Sequence, residues 1–176
     1  MRILRIITIV LAALAIGAVI TALSTNSKWQ VEVSQQINAS PARIFPLINT
    51  LNKWPEWTVW NKTSHPNLQM TYEGESKGKG AIQIWLEGNN KSRLEIVASE
   101  PDRFVEYQLN MGNTLFLMNG EIRLTPSAAG TLVSWKVRGD SGPNLIARLM
   151  MLAFKPMIKN DLNGGLSKLR TILEKT

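Results

Sequence analysis

A series of short apolar segments, separated by turn signals, runs from residue 68 to residue 138 and restricts the fold more than any other feature of the chain. Gly88-Asn89-Asn90 is a strong turn signal, because glycine and asparagine tolerate positive φ angles. Connections this short join antiparallel strands, since parallel strands need a long crossover. The sequence therefore predicts an antiparallel sheet of about seven strands, at residues 29–37, 68–72, 81–86, 93–99, 104–110, 114–124 and 131–138.

A long helix with one apolar face is predicted after the last strand. Pro143 suits a helix start, and apolar residues recur at helical spacing from residue 145 to residue 173. We expect Pro156 to kink this helix and the pair Gly164-Gly165 to bend or weaken it. Such a helix needs a long partner surface, which the concave face of a curved antiparallel sheet supplies. The predicted fold class is therefore α+β.

Residues 37–60 connect the first two strands and carry three of the six tryptophans. Ser40 can cap a helix start, because its side-chain oxygen accepts an otherwise unpaired backbone N–H. A short aromatic helix or turn follows, with Trp54, Trp57 and Trp60 at three-residue intervals. A solvent-exposed loop would not carry so many large rings, so this connector must lie against an apolar surface. That surface is either a filled core or the wall of a cavity.

Near the N-terminus, residues 6–23 contain no charged side chain and are expected to form an apolar helix. These 18 residues, at about 1.5 Å each, span about 27 Å, which is close to the hydrocarbon thickness of a bilayer. Arg2 and Arg5 precede the segment, which favours an N-terminus in the cytoplasm. The segment therefore predicts a membrane helix that delivers the following domain to the other side.

Two interpretations of this N-terminal segment compete. An uncleaved signal anchor would leave residues 1–27 as membrane anchor and spacer, with residues 28–176 as one domain on the periplasmic side of a bacterial-type inner membrane. A signal peptide cleaved near Ala22-Leu23-Ser24 would instead release the domain into the periplasm. We prefer the anchor, because the apolar segment is longer than a usual signal peptide requires.

The chain carries a formal net charge of +7, with its basic residues spread along the sequence. This distribution predicts a solvated basic surface or attraction to an anionic membrane, and it argues against nucleic acid, which would need a basic run with interleaved aromatics. The chain has no cysteine, and His65, the only histidine, is interpreted as a surface residue. We therefore predict no metal site and no cofactor. The oligomeric state is left open.

Five short motifs resemble those of a known superfamily. They are residues 37–45, 54–57, 78–81, 130–135 and 165–169. The chain resembles the START-like helix-grip superfamily (SRPBCC), and most of all its polyketide cyclase/dehydrase and lipid-transport family, over about residues 28–174. This resemblance implies that the sheet wraps the long helix around a mostly apolar cavity, with its mouth near the short helices and hairpin loops. The superfamily includes carriers, cyclases and chaperone-associated domains, so the resemblance does not specify an activity.

Large aromatic rings and flexible thioethers suit an adaptable apolar ligand pocket. The candidate cavity-lining residues are Trp54, Trp57, Trp60, Tyr72, Trp85, Phe116, Met118, Trp135, Met150 and Met157. Each of these residues would equally suit a filled core. Glu106, Gln108 and Asn119 lie within apolar strands and are candidates for orienting a ligand. No catalytic residue is identified.

These features together predict non-catalytic binding or carriage of a hydrophobic small molecule or lipid next to the membrane. The first alternative is an enzyme of the polyketide cyclase/dehydratase type. Such an enzyme requires a buried acid with a shifted pKa, or a tyrosine–acid pair, inside the cavity. The second alternative is an interaction module without a ligand, whose interior would contain no void.

Overall fold

The computed structural model describes residues 1–112 and 117–175. The elements, in chain order, are α1 (Arg2–Ser24), β1 (Lys28–Ile37), α2 (Pro41–Ile48), α3 (Trp54–Trp57), β2 (Gln69–Gly74), β3 (Ala81–Glu87), β4 (Asn90–Glu100), β5 (Phe104–Met111), β6 (Leu117–Ser127), β7 (Gly130–Asp140) and α4 (Leu145–Glu174), with a 3₁₀ turn at Leu51–Lys53. All seven predicted strands are present close to their expected positions. Residues 114–116, predicted as the start of the sixth strand, lie outside the described residues.

The seven strands form one antiparallel sheet in the order β1-β7-β6-β5-β4-β3-β2. Consecutive strands from β2 to β7 pair with one another, and β1 pairs with β7. The turn before β7 needs a glycine, because Gly130 has a φ of 109° and a Cβ there would lie 2.3 Å from the carbonyl oxygen of Ile37. The predicted antiparallel sheet is therefore confirmed.

Helix α4 packs along β1 and against the α3 segment. Leu166 and Leu169 on its inner face are fully buried. Gly165 lies directly on the indole of Trp135, where a Cβ would approach the ring to 2.8 Å. The helix continues through Pro156 and through this glycine as a single element. The arrangement of sheet and long helix confirms the predicted α+β helix-grip fold.

Strand register defines two ends of the domain. At one end, Lys28 pairs with Asp140 and Met118 pairs with Gly139. This end, which we call the α1 end, therefore holds the start of β1, the end of β5, the start of β6 and the start of α4. At the opposite end, which we call the distal end, the backbone N–H of Asn38 donates to a carboxylate oxygen of Glu174 near the end of α4 (3.0 Å).

Two hydrogen bonds hold the C-terminus of α1 against the α1 end of the domain. The backbone N–H of Ser141 donates to the carbonyl oxygen of Ser27 (2.9 Å), and the Arg148 guanidinium donates to the carbonyl oxygen of Thr25 (3.3 Å). Most of α1 is exposed, and Ala22 is its buried residue. Among the described residues, α1 is the one helix long and apolar enough to cross a membrane.

Candidate functional site

A cavity of about 710 Å³ lies between α4, the sheet and the loop that follows α3. Its wall combines aliphatic, aromatic and thioether side chains with three polar ones. The lining residues are Val59, Trp60, Ser64, His65, Tyr107, Leu109, Met111, Met118, Val137, Met151, Phe154, Met157, Ile158, Asp161 and Leu162. Most of the lining side chains are apolar and therefore offer a ligand no hydrogen bond.

The sheet contributes the rigid wall of this cavity. Side chains on one face of a strand recur at every second position, which brings Tyr107 and Leu109 of β5 to the same side. Tyr107 fits there because Gly120 lies opposite it on β6, where a Cβ would come within 2.0 Å of the tyrosine ring. The indole N–H of Trp135 donates to the Tyr107 hydroxyl (2.8 Å). These two contacts fix the orientation of the ring.

The Tyr107 hydroxyl is fully buried, and this burial raises its pKa well above the ordinary value for tyrosine. The hydrogen bond from Trp135 opposes the shift but is the smaller effect. Burial disfavours the phenolate because a charge in an apolar environment loses its hydration. Tyr107 is therefore a neutral phenol in the cavity wall at any physiological pH.

Helix α4 contributes the adaptable wall. Met151, Phe154, Ile158 and Leu162 follow one another at three- and four-residue intervals and share one face. Asp161 is the single acidic residue in the described lining of this cavity. Burial raises the pKa of its carboxyl, and the charge of nearby His65 opposes that shift. A carboxyl with a raised pKa therefore faces the cavity beside a histidine.

His65 brings a polar edge to the cavity from the loop after α3. Its Nδ1 lies 3.2 Å from a carboxylate oxygen of Glu87, at the end of β3, and both side chains are partly exposed. The sequence interpretation placed His65 on the surface, without a part in the cavity. The structure puts it at the surface and in the cavity wall at once. No pattern in the sequence pointed to this position, because the loop that carries it has no periodicity.

A second, smaller cavity of about 280 Å³ adjoins the first. The two share Trp60, His65 and Met111 as lining residues. Trp85 lines the smaller cavity and stacks on Trp60, with ring centroids 5.6 Å apart and an interplanar angle of 24°. Two stacked indoles therefore stand where the cavities meet.

The structure places the candidate lining residues in different environments. Trp60, Met118 and Met157 line the large cavity, and Trp85 lines the small one. Tyr72 lies on the edge strand β2 with 45 % of its surface exposed, outside both cavities. Phe116 lies outside the described residues.

Three of the candidate tryptophans are in the packed core and are not lining residues. Trp54, Trp57 and Trp135 are at most 2 % exposed, and their rings contact one another at centroid distances of 5.2 to 6.1 Å. The indole N–H groups of Trp54 and Trp57 donate to carbonyl oxygens of α2, at Ile48 and Leu47. These bonds turn the rings toward α2, so they fill space beside the cavity.

On α4, the candidate Met150 is one position away from the residue that lines the cavity. Met150 is 39 % exposed on the outside of α4, and its neighbour Met151 lines the cavity. Successive residues of a helix point about 100° apart, so one of two adjacent methionines faces away. The polar candidates Glu106 and Asn119 also face away, because they line a shallow depression of about 30 Å³ on the outer face of the sheet. Gln108, also in β5, is exposed.

Tyr107, Asp161 and Phe154 are cavity residues that sequence reasoning did not select. Strand alternation could have found Tyr107, since it lies two residues from Leu109 on the buried face. Helical spacing could have found Asp161, which falls three residues after Ile158 on the apolar side of α4. The proximity of Asp161 to His65, in contrast, depends on a loop conformation.

Comparison with known proteins gives one family-level match. A protein-family model described as "Polyketide cyclase / dehydrase and lipid transport" matches residues 28–174. This range covers every strand and both the α2–α3 segment and α4. No curated protein sequence matches the chain significantly.

Several solved structures share the fold at low sequence identity. The protein of unknown function SA2116 from Staphylococcus aureus is similar with a TM-score of 0.63 and 14 % identity, over 85 % of this chain and 96 % of that chain. Protein MLL2253 from Mesorhizobium loti gives a TM-score of 0.62 and 16 % identity, over 84 % and 98 %. The Aha1 dimer from Colwellia psychrerythraea gives 0.60 and 16 %, over 83 % and 96 %. At this identity the similarity concerns the fold alone.

Proposed function

Because the chain belongs to the polyketide cyclase/dehydrase and lipid transport family, we propose that it binds a hydrophobic small molecule or lipid in the large cavity. The cavity volume of about 710 Å³ carries this proposal, since ligand pockets of about 300–1,000 Å³ hold small organic molecules. The apolar wall supplies the driving force. Burial of about 300 Å² of apolar ligand surface would contribute about 7.5 kcal/mol before the cost of immobilising the ligand.

The polar residues of the cavity lie at one side, on the loop after α3 and on α4. Ser64, His65 and Asp161 could hydrogen-bond to a polar group of the ligand, while the Met118 and Leu109 region takes its apolar body. The proposed ligand is therefore amphiphilic, with one polar end and one apolar end. Flexible methionines on both walls would let the cavity adapt to ligands of different shape.

We further propose that residues 1–27 form a membrane anchor with its spacer and that residues 28–176 form the ligand-binding domain outside the cytoplasm. Arg2 and Arg5 before the apolar helix support this orientation. Tethering would keep the cavity next to a reservoir of membrane-derived apolar molecules. Release of the domain by signal cleavage is the alternative that N-terminal sequencing of the mature protein would detect.

The test is mass spectrometry of compounds that copurify with the full-length protein, compared among three proteins. Met151→Trp places a larger ring in the cavity, and Met150→Trp places the same ring on the outside of the same helix turn. We expect the wild type and Met150→Trp to retain an apolar compound and Met151→Trp to retain at least tenfold less. Retention of the compound by Met151→Trp, or a wild type that stays empty after incubation with extracted membrane lipids, would refute binding in this cavity.

A specific observation also favours the second candidate, an enzyme of the cyclase or dehydratase type. Asp161 has a raised pKa and Tyr107 is a neutral phenol, and both line the same cavity. A raised pKa brings a carboxyl closer to the range in which it can give a proton to a bound substrate. Asp161→Asn should retain the bound compound in either case. Conversion of that compound over time by the wild type, and not by Asp161→Asn, would identify catalysis.

The third candidate, an interaction module without a ligand, predicted an interior with no void. The cavity of about 710 Å³ counts against it. The tryptophans that were expected to fill such an interior, Trp54, Trp57 and Trp135, occupy the core beside the cavity.

A further inference from the structure

We propose that the first half of α4, residues 145–159, lies on the surface of the bilayer that α1 crosses, so that the large cavity opens against lipid. This inference rests on the proposed membrane anchor and ligand site. It adds an interaction surface, made by one face of α4 and the adjoining ends of β5 and β6, and it commits that surface to one partner, a membrane with anionic lipids.

The connection between α1 and the domain restricts which side of the domain can face the membrane. Residues 25–27, between α1 and β1, can span at most about 10 Å when fully extended. The hydrogen bonds from Ser141 to Ser27 and from Arg148 to Thr25 shorten this distance further. A membrane-spanning α1 therefore holds the start of α4 at the lipid headgroups, because Arg148 lies in its first turns.

Exposed apolar side chains are concentrated at the same end. Outside Met1 and α1, nine large hydrophobic residues are exposed in the described part of the chain, and six of them belong to α4 or to the ends of β5 and β6. These six are Met111, Leu117, Ile146, Met150, Leu152 and Met157. Ile146 and Met157 are 71 % and 60 % exposed, although each would gain free energy by leaving water. A contiguous exposed apolar patch marks an interaction site.

The charges on this half of α4 fit an anionic lipid surface. Arg148, Lys155 and Lys159 are its charged residues, and the next acid along the helix is Asp161. Basic residues beside an apolar helix face are typical of helices that lie in a membrane interface, where the cations meet lipid phosphates. The Arg148 guanidinium already donates to the carbonyl oxygens of Gly142 and Thr25, so Lys155 and Lys159 are the cations that would meet lipid phosphates. Because a membrane-spanning α1 holds this part of α4 at the headgroups, lipid is the partner that these lysines would meet.

The proposed surface also contains part of the cavity mouth. Met111 and Met157 belong both to the exposed patch and to the cavity lining. If the patch is in contact with lipid, an apolar molecule passes between the bilayer and the cavity without crossing water. The surface therefore gives the proposed binding function a route for its ligand.

The proposal can be tested by fluorescence labelling of single cysteine variants. The sequence contains no cysteine, so one introduced thiol carries the only label. Ile146→Cys and Met157→Cys probe the proposed surface, and Leu132→Cys is the matched control, an exposed apolar residue in the distal half of β7. The full-length variants are labelled with a nitrobenzoxadiazole fluorophore and reconstituted into phosphatidylcholine vesicles containing phosphatidylglycerol. Lipids that carry a nitroxide on the acyl chain then serve as quencher.

We expect nitroxide lipids to quench at least half of the fluorescence at Cys variants of Ile146 and Met157 and less than a tenth at Leu132→Cys. Equal, weak quenching at all three positions would overturn the proposal. Labels at Ile146 and Met157 that are shielded from a water-soluble quencher, yet are not quenched by lipid, would overturn it as well, in favour of a protein–protein contact on this face.

A charge-reversal pair tests the anionic component. Lys155→Glu/Lys159→Glu, combined with Ile146→Cys, should lose at least half of the lipid quenching, and Lys77→Glu/Lys79→Glu, which changes the same charge in the exposed turn between β2 and β3, should lose none. Equal quenching in both double variants would refute the role of the α4 lysines. These readouts do not depend on a bound ligand. Strong quenching together with a protein that retains no compound would refute the proposed binding function alone. A retained compound together with unquenched labels would refute the membrane surface alone.

Discussion

The two halves of α4 carry similar apolar periodicity but pack against different surroundings. In the second half, Leu166 and Leu169 are fully buried and Gly165 touches Trp135. In the first half, Met151 and Phe154 face a cavity of about 710 Å³. The difference arises because the cluster of Trp54, Trp57 and Trp135 fills the space under one half only. A helix can therefore serve as core at one end and as the wall of a binding site at the other.

The largest effect is expected from a matched pair of truncations on β6. Leu124 and Met118 lie on the same strand face with similar burial, but Leu124 is in the core outside the cavity and Met118 lines the cavity. Leu124→Ala should destabilise the protein by about 3 kcal/mol, because it removes contacts on all sides. Met118→Ala should cost about 1 kcal/mol, since part of its surface already lacks partner atoms.

The measurement for this pair is the free energy of unfolding from denaturant titration of the full-length protein in detergent. Similar losses of unfolding free energy in the two variants would contradict the proposed difference between packed core and cavity. A larger loss for Met118→Ala would reverse it.

A second matched pair uses the adjacent glycines of α4. A Cβ at Gly165 would lie 2.8 Å from the rigid indole of Trp135, so Gly165→Ala should destabilise by about 2 kcal/mol through overpacking. A Cβ at Gly164 would lie 3.3 Å from a methyl group of Val59, which lines the cavity and has room to move. Gly164→Ala should be neutral or stabilise by up to about 1 kcal/mol, because alanine favours the helix. Thermal unfolding of both variants decides the point, and equal melting temperatures would contradict it.

The smallest effect is a pH dependence that distinguishes Asp161 from Asp140. Burial raises the pKa of Asp161 in the folded protein, with the charge of His65 opposing the shift. The folded state therefore binds this proton more tightly than the unfolded state, whose pKa is about 3.9. The resulting stabilisation is present below that pKa and is lost as pH rises through the folded pKa. Asp161→Asn should thus become more stable relative to wild type as pH rises through this window.

Asp140 provides the control with the opposite sign. The backbone N–H of Gly142 holds the pKa of its carboxyl below the ordinary value, with smaller contributions from Ser27 and neighbouring cations. Its stabilisation is present above the unfolded pKa and is lost as pH falls. Asp140→Asn should therefore lose stability relative to wild type as pH rises. Stability curves from pH 3 to about pH 7 that slope the same way for both variants would show that Asp161 is not desolvated by the cavity wall.

Local patterns were enough to predict the strands, the long helix and the antiparallel pairing. Turn residues such as Gly88 and Gly130 mark hairpins because only a few residue types tolerate their φ angles. The apolar spacing of α4 predicted that it would bury one face. That spacing does not determine which residues of α4 face the cavity. Met150 and Met157 are therefore both candidates, although Met151 is the one of the adjacent pair that lines the cavity.

The division between core and cavity could not be predicted from composition. Trp54 and Trp57 have the same spacing from each other as Trp57 has from Trp60, yet the first two are in the core and the third lines the cavity. Their indole N–H bonds to carbonyl oxygens of α2 direct the two core rings, and those oxygens come within hydrogen-bond distance only once α2 and α3 have packed. Residue type alone gives each tryptophan the same preference for burial.

Periodicity and turn chemistry are properties of neighbouring residues, and they set the order of elements, the pairing of strands and the apolar α1 in this chain. The cavity, in contrast, depends on contacts between residues that are far apart in the sequence. Tyr107 fits against Gly120, and Trp135 fits against Gly165, across separations that no local pattern spans. Whether an apolar surface ends in contact or in open space depends on the sum of such fits. For that reason the secondary-structure elements could be predicted from the sequence, whereas the cavity depends on how sheet, loop and helix pack together.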